Sequence, residues 1–140
     1  MIRDAIISAF RKKKERNWTK MYWAIDVHDT IFQGEYASNQ KYDPSPEAIE
    51  VLKWLSDRND MMIIIWTSSY SADYDRLRKW FSETHGVNFD FLNENPECGN
   101  TLYAKFDKKF YFNVLLDDKS GFCEADWKAI KETLIEIGEW

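Results

Sequence analysis

Cysteine, proline and glycine are all scarce in this chain: two, three and five among 140 residues. Cys98 and Cys123 lie far apart and lack metal-ligand spacing. That excludes a disulfide framework and leaves two buried or idle thiols of a reducing compartment. With two histidines there is no His/Cys cluster of the kind that holds zinc. No apolar run approaches the ~20 residues of a membrane span. Met1–Phe10 carries charges and has too short an apolar part for a secretory signal, so the expected location is cytoplasmic. Excess positive charge is missing as well. A net charge of −5 argues against general nucleic-acid binding, which needs cations facing phosphates. The local exception is RKKKER, Arg11–Arg16. It reads as a solvated helix end whose cations complement the dipole, with a nucleic-acid end only weakly supported as a partner.

What is abundant is apolar and aromatic: 44% hydrophobic and 16% Phe, Trp and Tyr, beside 31% charged residues. Such a chain is globular, and its length suits one domain over 1–140. Helical spacing of Ile2, Ala5, Ile6, Ala9 and Phe10 predicts a helix to about Lys14. With a short linker it makes residues 1–20 an extension ahead of a core over 21–140. Met21–Val27 and Met61–Trp66 are uninterrupted apolar runs, as expected of strands covered on both faces. Between them a polar loop, with a possible small hairpin, occupies Gln33–Asp43. Ser45-Pro46-Glu47 then starts a helix that carries Ala48, Val51, Leu52 and Leu55 to Asp57. A further helix over Ala72–Thr84, with Leu77, Trp80 and Phe81 inward, stops at His85-Gly86. Val87–Leu92 and Tyr111–Leu116 read as two more strands, and Glu124–Ile137 as a last helix with Trp127, Ile130, Leu134 and Ile137 on one stripe. Strands alternating with helices predict a three-layer, Rossmann-like α/β fold, a parallel sheet with helices on both faces and no large cap.

Three of these strands end in residues suited to chemistry: Asp26, Thr67 and the pair Asp117-Asp118. Parallel strands share a C-terminal edge, where open α/β sheets bind ligands, so groups remote in sequence meet there. The stretch Asp26–Thr30 on its own is equally well explained as a turn. The convergence of three endings is what favours a site. Carboxylates without His or Cys partners are hard oxygen donors and suit Mg²⁺ better than Zn²⁺. Thr67 and Ser68 offer donors to phosphate oxygens, and one of Lys105, Lys108 and Lys109 can neutralise remaining charge. Phosphoryl transfer is the matching reaction class.

From Tyr22 onward the chain resembles the haloacid dehalogenase superfamily, in particular its small phosphatase-like members with little or no cap. The resemblance rests on DVHDT after the first strand, IIIWTS ending the second, a lysine ahead of the fourth strand, VLLDD at its end, and the SPEAIEVLKWL helix between the first two motifs. It implies a Mg²⁺-dependent phosphomonoesterase in which Asp26 forms an aspartyl-phosphate. Thr67 binds the transferring group, and Lys109 is the site lysine, with Lys108 and Lys105 as alternatives. Asp118, with Asp117 beside it, holds Mg²⁺ together with Asp26 and the backbone carbonyl of His28. Thr30 supports the loop.

The chain departs from the family at His28, where the phosphatases usually carry an acid/base aspartate. Imidazole titrates near neutrality and can take both roles, although a neighbouring cation makes the protonated form less stable. The substitution keeps open a non-enzymatic reading, a protein that binds Mg²⁺ or a phosphorylated ligand without turnover. Phosphonate or C–halogen hydrolysis is disfavoured, since phosphonate enzymes of this type need a cap-borne lysine. Phe32, Tyr36 and Tyr70 flank the expected mouth and read as rim cover.

Overall fold

The computed structural model describes residues 1–34 and 41–140. Most of the Gln33–Asp43 loop, including Tyr36, therefore lies outside the described residues. The elements run α1 (Ile2–Glu15), β1 (Met21–Asp26), α2 (Pro46–Asp57), β2 (Met61–Trp66), α3 (Ser71–His85), β3 (Phe91–Leu92), β4 (Val114–Leu116), a 3₁₀ turn (Asp118–Ser120) and α4 (Asp126–Glu136). The strands form one parallel sheet in the order β3-β2-β1-β4. β1 is central and in full register with β2, from Met21↔Met61 to Asp26↔Trp66. The apolar runs thus occupy the two interior positions, where both faces must be covered.

Local chemistry sets the helix ends. The Ser45 side chain accepts from the Ala48 N–H at 3.2 Å and Pro46 opens α2, so the first turn is capped and pre-bent. Gly86 closes α3 with φ 64°, the left-handed conformation that a residue bearing Cβ resists. His85 is the last residue of that helix and packs edge-on against Trp80, its rings 5.0 Å apart.

One face of the sheet (Met21, Trp23, Ile25, Met61, Ile63, Ile65, Val114 and Leu116) shares one buried cluster with side chains from all four helices. Each such side chain contributes roughly 1.5–3 kcal/mol when fully withdrawn from water. α1 belongs to this cluster: Ile6 is fully buried, Phe10 meets Trp54 of α2, and Arg3 pairs with Glu136 of α4 at 2.5 Å. Within the basic run, Lys13 pairs with Asp60 and Arg11 with Glu15.

The opposite face, that of Tyr22, Ala24, Ile64, Trp66 and Leu115, is closed differently from the expectation of helices on both sides. Tyr22 meets Tyr111 edge-on at 5.9 Å, Trp66 meets Phe110 at 5.4 Å, and Asn95 holds the Tyr111 carbonyl at 2.9 Å. The irregular segment 93–113 covers this face where a third, helical layer was expected. It lacks helical periodicity and is held by its own side-chain bonds, among them Asn100 to the Phe106 N–H and Thr101 to the Tyr103 and Ala104 N–H groups.

The same competition shortens two strands. Asn113 Oδ1 accepts from the Tyr22 N–H at 2.7 Å, taking the place of a ladder partner, so β4 begins at Val114 rather than Tyr111. Asp90 Oδ2 likewise accepts from the Ile63 N–H, and β3 is confined to Phe91–Leu92 rather than Val87–Leu92. Val87 and Phe89 are buried beside α3 instead, with Phe89 5.3 Å from the Phe81 ring. Among the described residues no helix is long and apolar enough to cross a membrane.

Candidate active site

β1 and β4 deliver their carboxylates to the same sheet edge because they are adjacent and parallel, with Ile25 opposite Leu116. Asp26, Asp117 and Asp118 each present an oxygen, and these oxygens lie within 4.8 Å of one another. Thr30 joins the two strand ends. Its hydroxyl donates to Asp26 Oδ2 at 3.0 Å and accepts from the Asp118 N–H at 3.0 Å. Thr30 itself is buried, and its carbonyl accepts from the indole N–H of Trp127 at 2.8 Å. Asp117 caps the 3₁₀ turn by accepting from the Lys119 N–H, which fixes the carboxylate beside its neighbour.

The turn after β1 is tight. The Thr30 and Ile31 N–H groups return to the Val27 carbonyl, and Asp29 has φ 63°. Asp29 Oδ1 then accepts from the Gly34 N–H at 2.9 Å. A Cβ on Gly34 would stand 3.0 Å from that of His28, so the close return of the loop depends on glycine there.

Crowding three acids shows in their protonation. Burial, then Asp118 and the charge of Asp117, push the Asp26 carboxyl up to about 7, against the pull of the Thr30 hydroxyl and the Val27 backbone. Asp118 moves the other way, held below the usual carboxylate range chiefly by Asp26 and to a lesser degree by Lys119. Opposite displacements describe one proton retained on Asp26 and offered to Asp118. A cation placed between the oxygens would replace that proton. Oxygen donors alone, with like charges in excess, form the kind of set that suits Mg²⁺ or Ca²⁺.

At the end of β2, Thr67 is held by Asn93, whose Oδ1 accepts from the Thr67 N–H and whose Nδ2 donates to the Thr67 carbonyl, each at 2.8 Å. The Thr67 hydroxyl bonds Ser69 in turn, and Ser68 is exposed. In the sequence Asn93 reads only as part of the loop after the third strand; its grip on Thr67 comes from the pairing of β2 with β3.

Other candidates fall outside the acid cluster. The His28 ring lies edge-on to Phe32 at 5.8 Å and makes no hydrogen bond among the described residues. Phe32 is buried against Tyr42 and is no rim residue, whereas Tyr70 is exposed at the start of α3. Lys105 pairs with Asp107 at 3.3 Å. Lys108 and Lys109 form no ion pair among the described residues, and both border a recess beside Trp66.

Fold and site together define a Rossmann-like parallel α/β domain with, at its C-terminal sheet edge, three carboxylates spaced to hold a metal ion. Comparison with protein-family models and with curated proteins gives no match. Among solved structures, the chain is similar to a conserved protein coded by a locus of Bacteroides thetaiotaomicron. The TM-score is 0.64, with 24% sequence identity over 84% of this chain and 91% of that one. At that identity the likeness establishes the fold alone.

Proposed function

We propose that this protein is a Mg²⁺-dependent phosphohydrolase of the haloacid dehalogenase type, working through an aspartyl-phosphate on Asp26. The observation that carries the proposal is the convergence of Asp26, Asp117 and Asp118 oxygens within 4.8 Å, bridged through Thr30. Mg²⁺, held by Asp26, Asp117, Asp118 and the His28 carbonyl, would supply charge neutralisation for the incoming phosphate. Asp26 attacks phosphorus as the ester P–O bond breaks, and the proton needed by the departing oxygen comes from the His28 imidazolium. Water then attacks phosphorus, gives its proton to His28, and the bond to Asp26 breaks, leaving alcohol and phosphate. Thr67, fixed by Asn93, and Lys109 hold the phosphoryl oxygens.

The test is hydrolysis of an aryl phosphate in Mg²⁺ against chelator, for the wild type and His28→Asp. Turnover by the wild type that vanishes with chelator supports the proposal. Turnover by His28→Asp alone favours a second reading, binding of Mg²⁺ or a phosphorylated partner without chemistry. The packing of His28 on Phe32 favours that reading.

Mg²⁺ affinity should also depend on pH. Because the ion must displace the proton that Asp26 keeps up to about 7, binding is expected to tighten about tenfold per pH unit below neutrality and level off above it. Calorimetric titration between pH 5.5 and 8.5 measures this, and a flat profile would remove Asp26 from the ligand set.

A further inference from the structure

Beside the acid cluster, on the face closed by segment 93–113, lies a recess of about 210 Å³ lined by Trp66, Lys108, Lys109, Phe110, Phe112 and Leu115. Small-molecule sites usually span roughly 300–1,000 Å³, so this space takes a ring rather than a whole ligand. Its walls are unusual for strand residues. Trp66 is 44% exposed and Leu115 37%, although Ile64, Ile65, Val114 and Leu116 next to them are buried.

Register places the recess against the site. Trp66 is the β2 partner of Asp26, and Leu115 is the β4 partner of Ala24. Alternation along β1 turns Asp26 and Ala24 to one face, and neighbouring strands lie about 4.8 Å apart. Trp66 therefore begins one strand spacing from Asp26, with the small Ala24 side chain on the strand between Trp66 and Leu115. The contact of Trp66 with Phe110 is edge-on, at 61°, and leaves an indole face without a stacking partner among the described residues. Its charged residues are Lys108 and Lys109, and no lining side chain offers an acceptor or hydroxyl to match a sugar.

We propose that this recess is the subsite for the leaving group, and that it selects phosphate monoesters carrying a planar aromatic ring. The ring stacks on Trp66, the phosphoryl group lies over Asp26, and Lys108 and Lys109 meet its oxygens. This rests on the phosphohydrolase reading above, extending it from a reaction to a substrate class.

The experiment compares phenyl phosphate, adenosine 5′-monophosphate and glycerol 3-phosphate in Mg²⁺, by initial rates and by calorimetric binding, for wild type, Trp66→Ala and Leu115→Trp. At least one aromatic ester should show a KM or Kd about tenfold below that of glycerol 3-phosphate, as aromatic stacking gives elsewhere. Which ester it is identifies the ring as a phenol or a base. Trp66→Ala, which opens the wall, and Leu115→Trp, which fills the space, should each bring the aromatic esters to the affinity of glycerol 3-phosphate. Equal affinity for all three probes overturns the subsite, as does a preference that survives both substitutions or no binding at all. Calorimetric preference without turnover would keep the subsite and reject the hydrolase, so the two ideas fail separately.

Discussion

On the hydrolase proposal, Asp26→Asn is expected to lose phosphatase activity by roughly 10³-fold or more, because an amide cannot form the acyl phosphate. The same variant should be more stable than the wild type when Mg²⁺ is withheld. The sign follows from proton linkage. In the native protein Asp26 keeps its proton up to about 7, against 3.8 for an ordinary aspartate. Between those values the folded state binds more protons than the unfolded one, so stability falls as pH rises through this window. Asparagine has no proton to lose, still accepts from the Thr30 hydroxyl, and removes one charge from the crowded cluster. Thermal unfolding in chelator should thus show a wild-type melting temperature that declines from pH 4 toward 7 and an Asp26→Asn curve lacking that component. The variant should lead by a few degrees at pH 8. Mg²⁺ should restore the wild type and leave the variant nearly unmoved. A variant less stable than wild type at pH 8 in chelator would mean that Asp26 is satisfied as an anion.

Trp127 carries the second large effect. It is fully buried in α4, meets Phe122 edge-on at 5.2 Å, and donates its indole N–H to the Thr30 carbonyl. Truncation to alanine is expected to cost about 3–5 kcal/mol in urea denaturation, the range for large aromatic-to-alanine changes in cores. Against the ~5–15 kcal/mol that holds a typical domain together, such a variant comes close to unfolding. Trp127→Phe is the more informative substitution. It retains most of the volume and removes one donor, costing about 1–3 kcal/mol through the buried carbonyl left without its partner. Thr30 links Asp26 to Asp118, so Trp127→Phe should also weaken Mg²⁺ binding in a protein that remains folded. Unchanged Mg²⁺ affinity would mean that the turn after β1 positions Thr30 unaided.

The sequence disclosed the elements that bury whole faces and obscured those that side chains interrupt. Periodicity and capping placed α2 from Pro46 to Asp57 and β2 from Met61 to Trp66, in agreement with the structure. β3 and β4 came out longer in the sequence because apolar content cannot register that Asp90 and Asn113 take backbone N–H groups with their own side chains. The missing helical layer has a similar origin. Aromatic residues in 93–113 cover the sheet without any regular period for a sequence reading to find. At the site, strand endings were enough to bring Asp26, Asp117 and Asp118 together. Asn93 escaped notice because its role, gripping Thr67 at both backbone groups, exists only once β2 and β3 are side by side.

The Thr30 bridge has a consequence for how the molecule reaches its native state. It joins groups 88 residues apart in sequence, so more than half of the chain lies in the loop that closes when it forms. Contacts of that separation carry the entropy of a long loop and mature late along the folding route. A divalent ion held at this edge would have little to grip in the transition state. It would act as a latch on the finished protein, slowing the rate at which the chain opens while leaving the rate at which it closes nearly untouched.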